Sequence, residues 1–207
     1  MASEQYSRFA LFTAIGAVVW IGFLPLYDLL FAWTQFVPGI NWIYLPHGLR
    51  MMLVLLLGPA GALGFSLGAV FYTQVTEHGP HLGSELDIIL ALVPGLAAWL
   101  AVMLTFRQWP GQSLQPLVSA GAQALDGRRL LLLAFVSAIL NSTSHITTRY
   151  ALGNEVQNWG DLLTAMIVGD LFGALLLLYT LKGCIFLLEN RNATLMNHER
   201  KAKSESR

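Results

Sequence analysis

"LLTAMIVGDLFGALLLLYTLKGCIFLL", residues 162–188, carries only two charges, Asp170 and Lys182. As a helix rising ~1.5 Å per residue, a run of this length exceeds the ~30 Å hydrocarbon core of a bilayer. Ala165, Gly169 and Gly173 recur every four residues, which gives one face small enough for another backbone to approach closely. Asp170 sits near the middle of the run. An ionised side chain there costs about 2.5–3.5 kcal/mol to insert, so it must face the protein interior and find partners. This stretch therefore reads as a membrane helix, packed against neighbours and holding a buried acid.

The rest of the chain repeats the pattern. Of 207 residues, 55% are hydrophobic and 12% charged, and the mean hydropathy is +0.57. A soluble domain carries about 25% charged residues, so this chain lacks the polar surface to meet water all round. The expected fold class is all-α, a polytopic membrane bundle of six transmembrane helices. The expected spans are Ser7–Trp33, Ile43–Leu57, Pro59–Val75, Leu86–Phe106, Arg128–Tyr150 and Leu162–Leu188. Pro25 is expected to kink the first. The second and third are short, and one long kinked helix across "LLLGPAGALG", giving five spans, is the competing arrangement.

Charge asymmetry favours six. With both termini cytoplasmic, ten of the twelve basic residues fall inside, and only Arg50 and Arg149 fall outside. Residues 1–188 then form one transmembrane domain, and 189–207 a short, flexible basic cytoplasmic tail. The first helix is expected to stay as a signal anchor, and the localisation implied is the bacterial cytoplasmic (inner) membrane. Trp33, Trp42, Trp109 and Trp159 fall near span ends as interfacial anchors, while Trp20 and Trp99 lie deeper.

Composition also narrows function. A formal net charge of zero gives no case for a nucleic-acid partner. The single cysteine, Cys184, excludes an internal disulfide framework. No Walker loop or HExxH occurs, so neither enzyme chemistry nor a cofactor is expected. His78 and His81, with Glu85 and Asp87, have the irregular spacing of a solvated turn rather than a metal site. The Asn192-Ala193-Thr194 sequon has no meaning on a cytoplasmic tail.

The chemistry concentrates in "FVSAILNSTSHITTRYALG", residues 135–153. Every fourth residue is polar: Ser137, Asn141, His145 and Arg149 stack on one helical face. Asp28, His47, Arg50 and Asp170 fall in the same outer half of the bilayer. Two arrangements satisfy so many costly groups. They line an outward-facing polar pocket that takes a small-molecule ligand, or they form an ion-paired structural seam in which Asp170 clamps to Arg50 or Arg149.

"WIYLPHGLRMMLVLLLGPAGALGFSLGAVF", residues 42–71, resembles the signature of MASE-type membrane-associated sensor domains through Pro46, Gly48, Gly58 and Gly68. The Gly-Asp-x-x-Gly of the last helix, carried by Gly169, Asp170 and Gly173, looks like that family's second hallmark. The resemblance implies a multi-helix sensory module in the lipid bilayer. Such modules usually feed a C-terminal kinase or cyclase. Only a short tail follows Leu188 here, so the expected output runs through a separate protein partner. Two other functions compete with this stand-alone sensor. One is a structural or assembly subunit of a larger membrane complex. The other is a small-solute-binding subunit like those of energy-coupling-factor transporters, whose helix-one alanine spacing Ala10 and Ala14 loosely echo.

Overall fold

The structure, a computed structural model, describes residues 2–37, 40–76, 85–106, 126–151 and 158–205, by their backbone alone at 2, 76, 85–87 and 192–205. Helix α1 (Ala2–Phe31) ends in a single 3-10 turn (Ala32–Thr34). A two-stranded antiparallel ribbon, β1 (Gln35–Val37) and β2 (Ile40–Asn41), follows. The other helices among the described residues are α2 (Leu45–Leu57), α3 (Pro59–Thr76), α4 (Glu85–Phe106), α5 (Gly127–Ala151) and α6 (Trp159–Glu205).

The described residues are all-helical apart from that ribbon and short turns. Among the described residues, four stretches are long and apolar enough to cross a membrane: Ser3–Thr34, Ile88–Phe106, Gly127–Ala151 and Trp159–Arg191. The other two helices differ in kind. With 13 residues, α2 is apolar but spans only ~20 Å. Helix α3 is diluted by Gly61, Gly64, Gly68 and the Tyr72-Thr73-Gln74 segment. Exposed Leu26, Leu29, Leu104, Phe172 and Leu187 turn large apolar side chains outward, as a lipid-facing surface requires. Helix α6 continues well past Leu188, because residues 189–205 are rich in helix-forming Glu, Arg, Lys, Leu and Met and contain no Gly or Pro.

A single kinked helix through residues 43–75 does not form. Gly58 takes φ 63° and ψ −143°, a backbone conformation open to glycine. The chain reverses there. Thr13 and Gly16 of α1 meet Gly64, and Ala17 and Trp20 meet Gly68, so α1 and α3 run parallel. Tyr27 reaches Ile43 while Trp20 reaches Arg50, so α2 runs antiparallel to both. The Gly64–Gly68 face thus packs on α1 as its small residues suggest, but at Thr13, Gly16 and Ala17. Ala10 and Ala14 are exposed.

A second close contact positions the polar groups. A Cβ at Gly169 would fall on the Asn41 carbonyl oxygen, one at Gly173 on that of Tyr44, and one at Gly48 on that of Gly173. The Tyr44 N–H donates to the Gly169 carbonyl at 3.0 Å. The three glycines therefore let the end of the ribbon and the start of α2 lie directly on α6. The main core fills the space between helices with Met51, Val54, Phe65, Ala101, Val102, Leu130 and Leu178.

Candidate functional site

The α2–α6 contact sets His47 against Asp170. Each is almost wholly removed from solvent, and His47 Nδ1 lies 3.7 Å from Asp170 Oδ2. The same oxygen accepts hydrogen bonds from Asn141 Nδ2 at 2.6 Å and Ser142 Oγ at 3.3 Å, both on α5. The far end of the Asn141 amide accepts from Arg50 Nη1 at 3.2 Å. An amide has one donating and one accepting end, so this carboxylate and this guanidinium fix its orientation. Asp170 and Arg50 are consequently joined through Asn141.

A direct clamp between Asp170 and Arg50 or Arg149, one of the two arrangements left open by the sequence, is not formed among the described residues. Among the described residues, the carboxylate's ion-pair contact is with His47. The cause is register. Gly169 and Gly173 seat the first turn of α2 on Asp170, and Arg50, one turn further along, reaches α5 instead.

Hydrogen-bond accounting also assigns the His47 ring. Ser137 Oγ donates its proton to the Ala134 carbonyl at 3.0 Å. It therefore accepts from His47 Nε2, also at 3.0 Å. Nδ1 then faces Asp170 with no hydrogen bond of its own. That contact is attractive only with a proton between the two groups, on the imidazole or on the carboxyl.

Arg50 is 6% exposed and caged by aromatic rings. Its guanidinium carbon lies 5.1 Å from the Trp20 ring centroid, 5.3 Å from Tyr44 and 5.8 Å from Phe65. Nη2 donates to the Tyr44 hydroxyl at 3.2 Å, while Nε has no acceptor. Rings of this kind stabilise a desolvated cation without neutralising it.

These groups border a cavity of ≈680 Å³. Its lining brings together six of the seven ionisable or amide side chains singled out in the sequence: Asp28, Arg50, Asn141, His145, Arg149 and Asp170. His47 stands behind Asp170. Each helix contributes from the same end of the bundle: the C-terminal halves of α1 and α5, α3 from Phe65 onward, and the N-terminal halves of α2, α4 and α6. Asp28 and Arg149 are exposed and mark its open side, and Tyr72 hydrogen-bonds the Asp28 carboxylate. Exposed Trp33, Trp42 and Trp159 lie at that end too.

Several participants were not legible beforehand. Tyr44 and Ser142 carry no periodic signal, and Tyr27 and Tyr72 are ordinary residues of apolar helices. The ribbon was not anticipated either, although Phe36 and Trp42 pair edge-on across it. His78 and His81 lie outside the described residues, as do the side chains of Glu85 and Asp87. Among the described residues, no cluster of three His, Cys, Asp or Glu side chains is arranged to hold a metal ion.

Gly48, Gly169 and Gly173 shape the α2–α6 contact, Pro46 opens α2, Gly58 turns the chain between α2 and α3, and Gly68 packs on α1. No protein-family model matches the sequence, and comparisons with curated proteins and with solved structures likewise return no match.

Proposed function

We propose that this chain is a membrane receptor module that binds a small solute in its intramembrane cavity and signals through a separate protein partner. The observation that carries this reading is the ≈680 Å³ space lined by Asp28, Arg50, Asn141, His145, Arg149 and Asp170. A seam built only to hold helices together would close on its charges, since burying them without direct pairing is costly. Here the acids and the arginines face a shared space of the volume that small-molecule sites have, about 300–1,000 Å³. The resemblance to MASE-type sensors, through Pro46, Gly48, Gly58, Gly68, Gly169, Asp170 and Gly173, supports a sensory role.

The same proposal takes α2 and α3 as a short hairpin that completes six spans, with both termini on the cytoplasmic face of a bacterial inner membrane. The alternating directions of the helices and the ten basic residues on the side of the termini support it. The test replaces Asp170 by Asn and Arg149 by Leu in the intact chain. Native mass spectrometry from mild detergent then follows bound small molecules and co-purifying protein. Retention of the same molecule and the same partner by both variants would remove the cavity from the mechanism.

A further inference from the structure

The cavity has two chemically different walls. Phe65 and Ala69 of α3 with Leu90, Ala91 and Pro94 of α4 make one side apolar. The other side, from α2, α5 and α6, presents Arg50, Asn141, His145, Arg149 and Asp170. A ligand that satisfies both is amphipathic. The sign of its polar end follows from which hydrogen-bonding groups in the protein are already used.

On the polar side the acids are the more fully engaged groups. Asp170 Oδ2 takes Asn141 and Ser142 and faces His47, and Asp28 is held by Tyr72. The donors are less so. Arg50 has five N–H groups, of which two are committed, to Asn141 and Tyr44. Its Nε and the indole Nε1 of Trp20, on a residue only 2% exposed, are both buried without an acceptor. Both side chains line the cavity, and the guanidinium stands 5.1 Å from that indole ring. Among the described residues no carboxylate lies within ion-pair distance of Arg50 or Arg149. Trp20, Tyr44 and Phe65 surround the guanidinium, which favours approach in its plane, where N–H groups point and a carboxylate docks with two oxygens.

We infer that the ligand is a small amphipathic carboxylate, its two oxygens on the free edge of Arg50 beside the Trp20 indole N–H and its apolar body against the α3–α4 wall. This rests on reading the cavity as a solute site and adds the charge of the solute. Arg149 lines the same cavity and favours the same sign of charge, and His145, whose Nδ1 is also buried without a partner, can donate a further hydrogen bond there.

The test uses three probes of one shape, 4-bromobenzoate, 4-bromobenzamide and 4-bromobenzylamine, titrated into the intact chain in mild detergent. Bromine quenches indole fluorescence at contact, and the part of the signal lost in Trp20→Phe reports the cavity. The expected result is saturable quenching by the carboxylate, with the amide and the amine weaker by about tenfold or more. Arg50→Gln is expected to remove that preference and Arg50→Lys to keep part of it. Equal affinity for carboxylate and amide, or an unchanged carboxylate affinity in Arg50→Gln, overturns the anion assignment and leaves the solute site standing. Failure of all three probes to quench Trp20 saturably overturns both. The comparison of probes on the unmodified chain needs no variant to fold.

Discussion

Asn141→Leu is the substitution that separates a charge relay from ordinary helix packing. Leucine keeps the branched framework of asparagine but is bulkier at its two methyls, so no cavity opens, two hydrogen bonds are removed, and any overpacking adds to the loss. Those bonds are the 2.6 Å donation to Asp170 and the 3.2 Å acceptance from Arg50. A neutral interhelical hydrogen bond in a membrane protein averages about 0.6 kcal/mol, whereas a bond to a charged group contributes about 1.5–3 kcal/mol. Two charged bonds at full strength would total about 3–6 kcal/mol. Asp170 keeps Ser142 and Arg50 keeps Tyr44 and its ring contacts, so the lower end applies, about 3 kcal/mol. Equilibrium unfolding in mixed micelles, followed by helical circular dichroism, measures it. Ser142→Ala, which removes only the 3.3 Å bond, is the internal comparison and should cost about 1 kcal/mol or less. A loss below about 1 kcal/mol for Asn141→Leu would refute the reasoning, because the two charges would then not depend on the amide between them. A double-mutant cycle with Arg50→Met should give a coupling of about 1 kcal/mol or more.

Gly173→Ala should destabilise the chain by about 1–3 kcal/mol or prevent folding, because the new Cβ meets the Tyr44 backbone and no side chain can move aside. Gly22→Ala, with nothing within 4 Å, should instead be neutral or stabilising by up to about 1 kcal/mol in the same unfolding measurement. Tyr72→Phe should leave stability within about 1 kcal/mol of the parent, since the Asp28 carboxylate it bonds is exposed; a larger loss in thermal unfolding would show that Asp28 is desolvated. For orientation, cysteines replacing the exposed Asp126 and Asp161 in a Cys184→Ser background stand at opposite ends of the bundle. A membrane-impermeant maleimide applied to intact cells should label D161C and spare D126C, and the reverse pattern would invert the proposed topology.

That Asp170 would be buried and would need partners was readable from the chain alone, whereas the exposure of Asp28 and Arg149 was not. The run 162–188, with Asp170 at its centre, announces a membrane helix and an acid that must face inward, because the cost of inserting a charge belongs to that residue wherever its neighbours lie. The four-residue spacing from Ser137 to Arg149 likewise places these side chains on one face through helix geometry alone, and all four do join the network or the cavity wall. Gly169 and Gly173 marked a close approach in advance. That the backbone approaching them belongs to residues 41–45, and that His47 is thereby delivered to Asp170 while Arg50 stops at Asn141, only the tertiary structure decided. The cage of Trp20, Tyr44 and Phe65 around Arg50 is of the same kind. The physical reason is that lipid is as apolar as the helix surfaces themselves. Hydrophobicity assigns segments to the membrane, but it does not set how one helix slides or rotates against the next. Steric fit at small residues and hydrogen bonds between named pairs set that register, and both are properties of two segments at once.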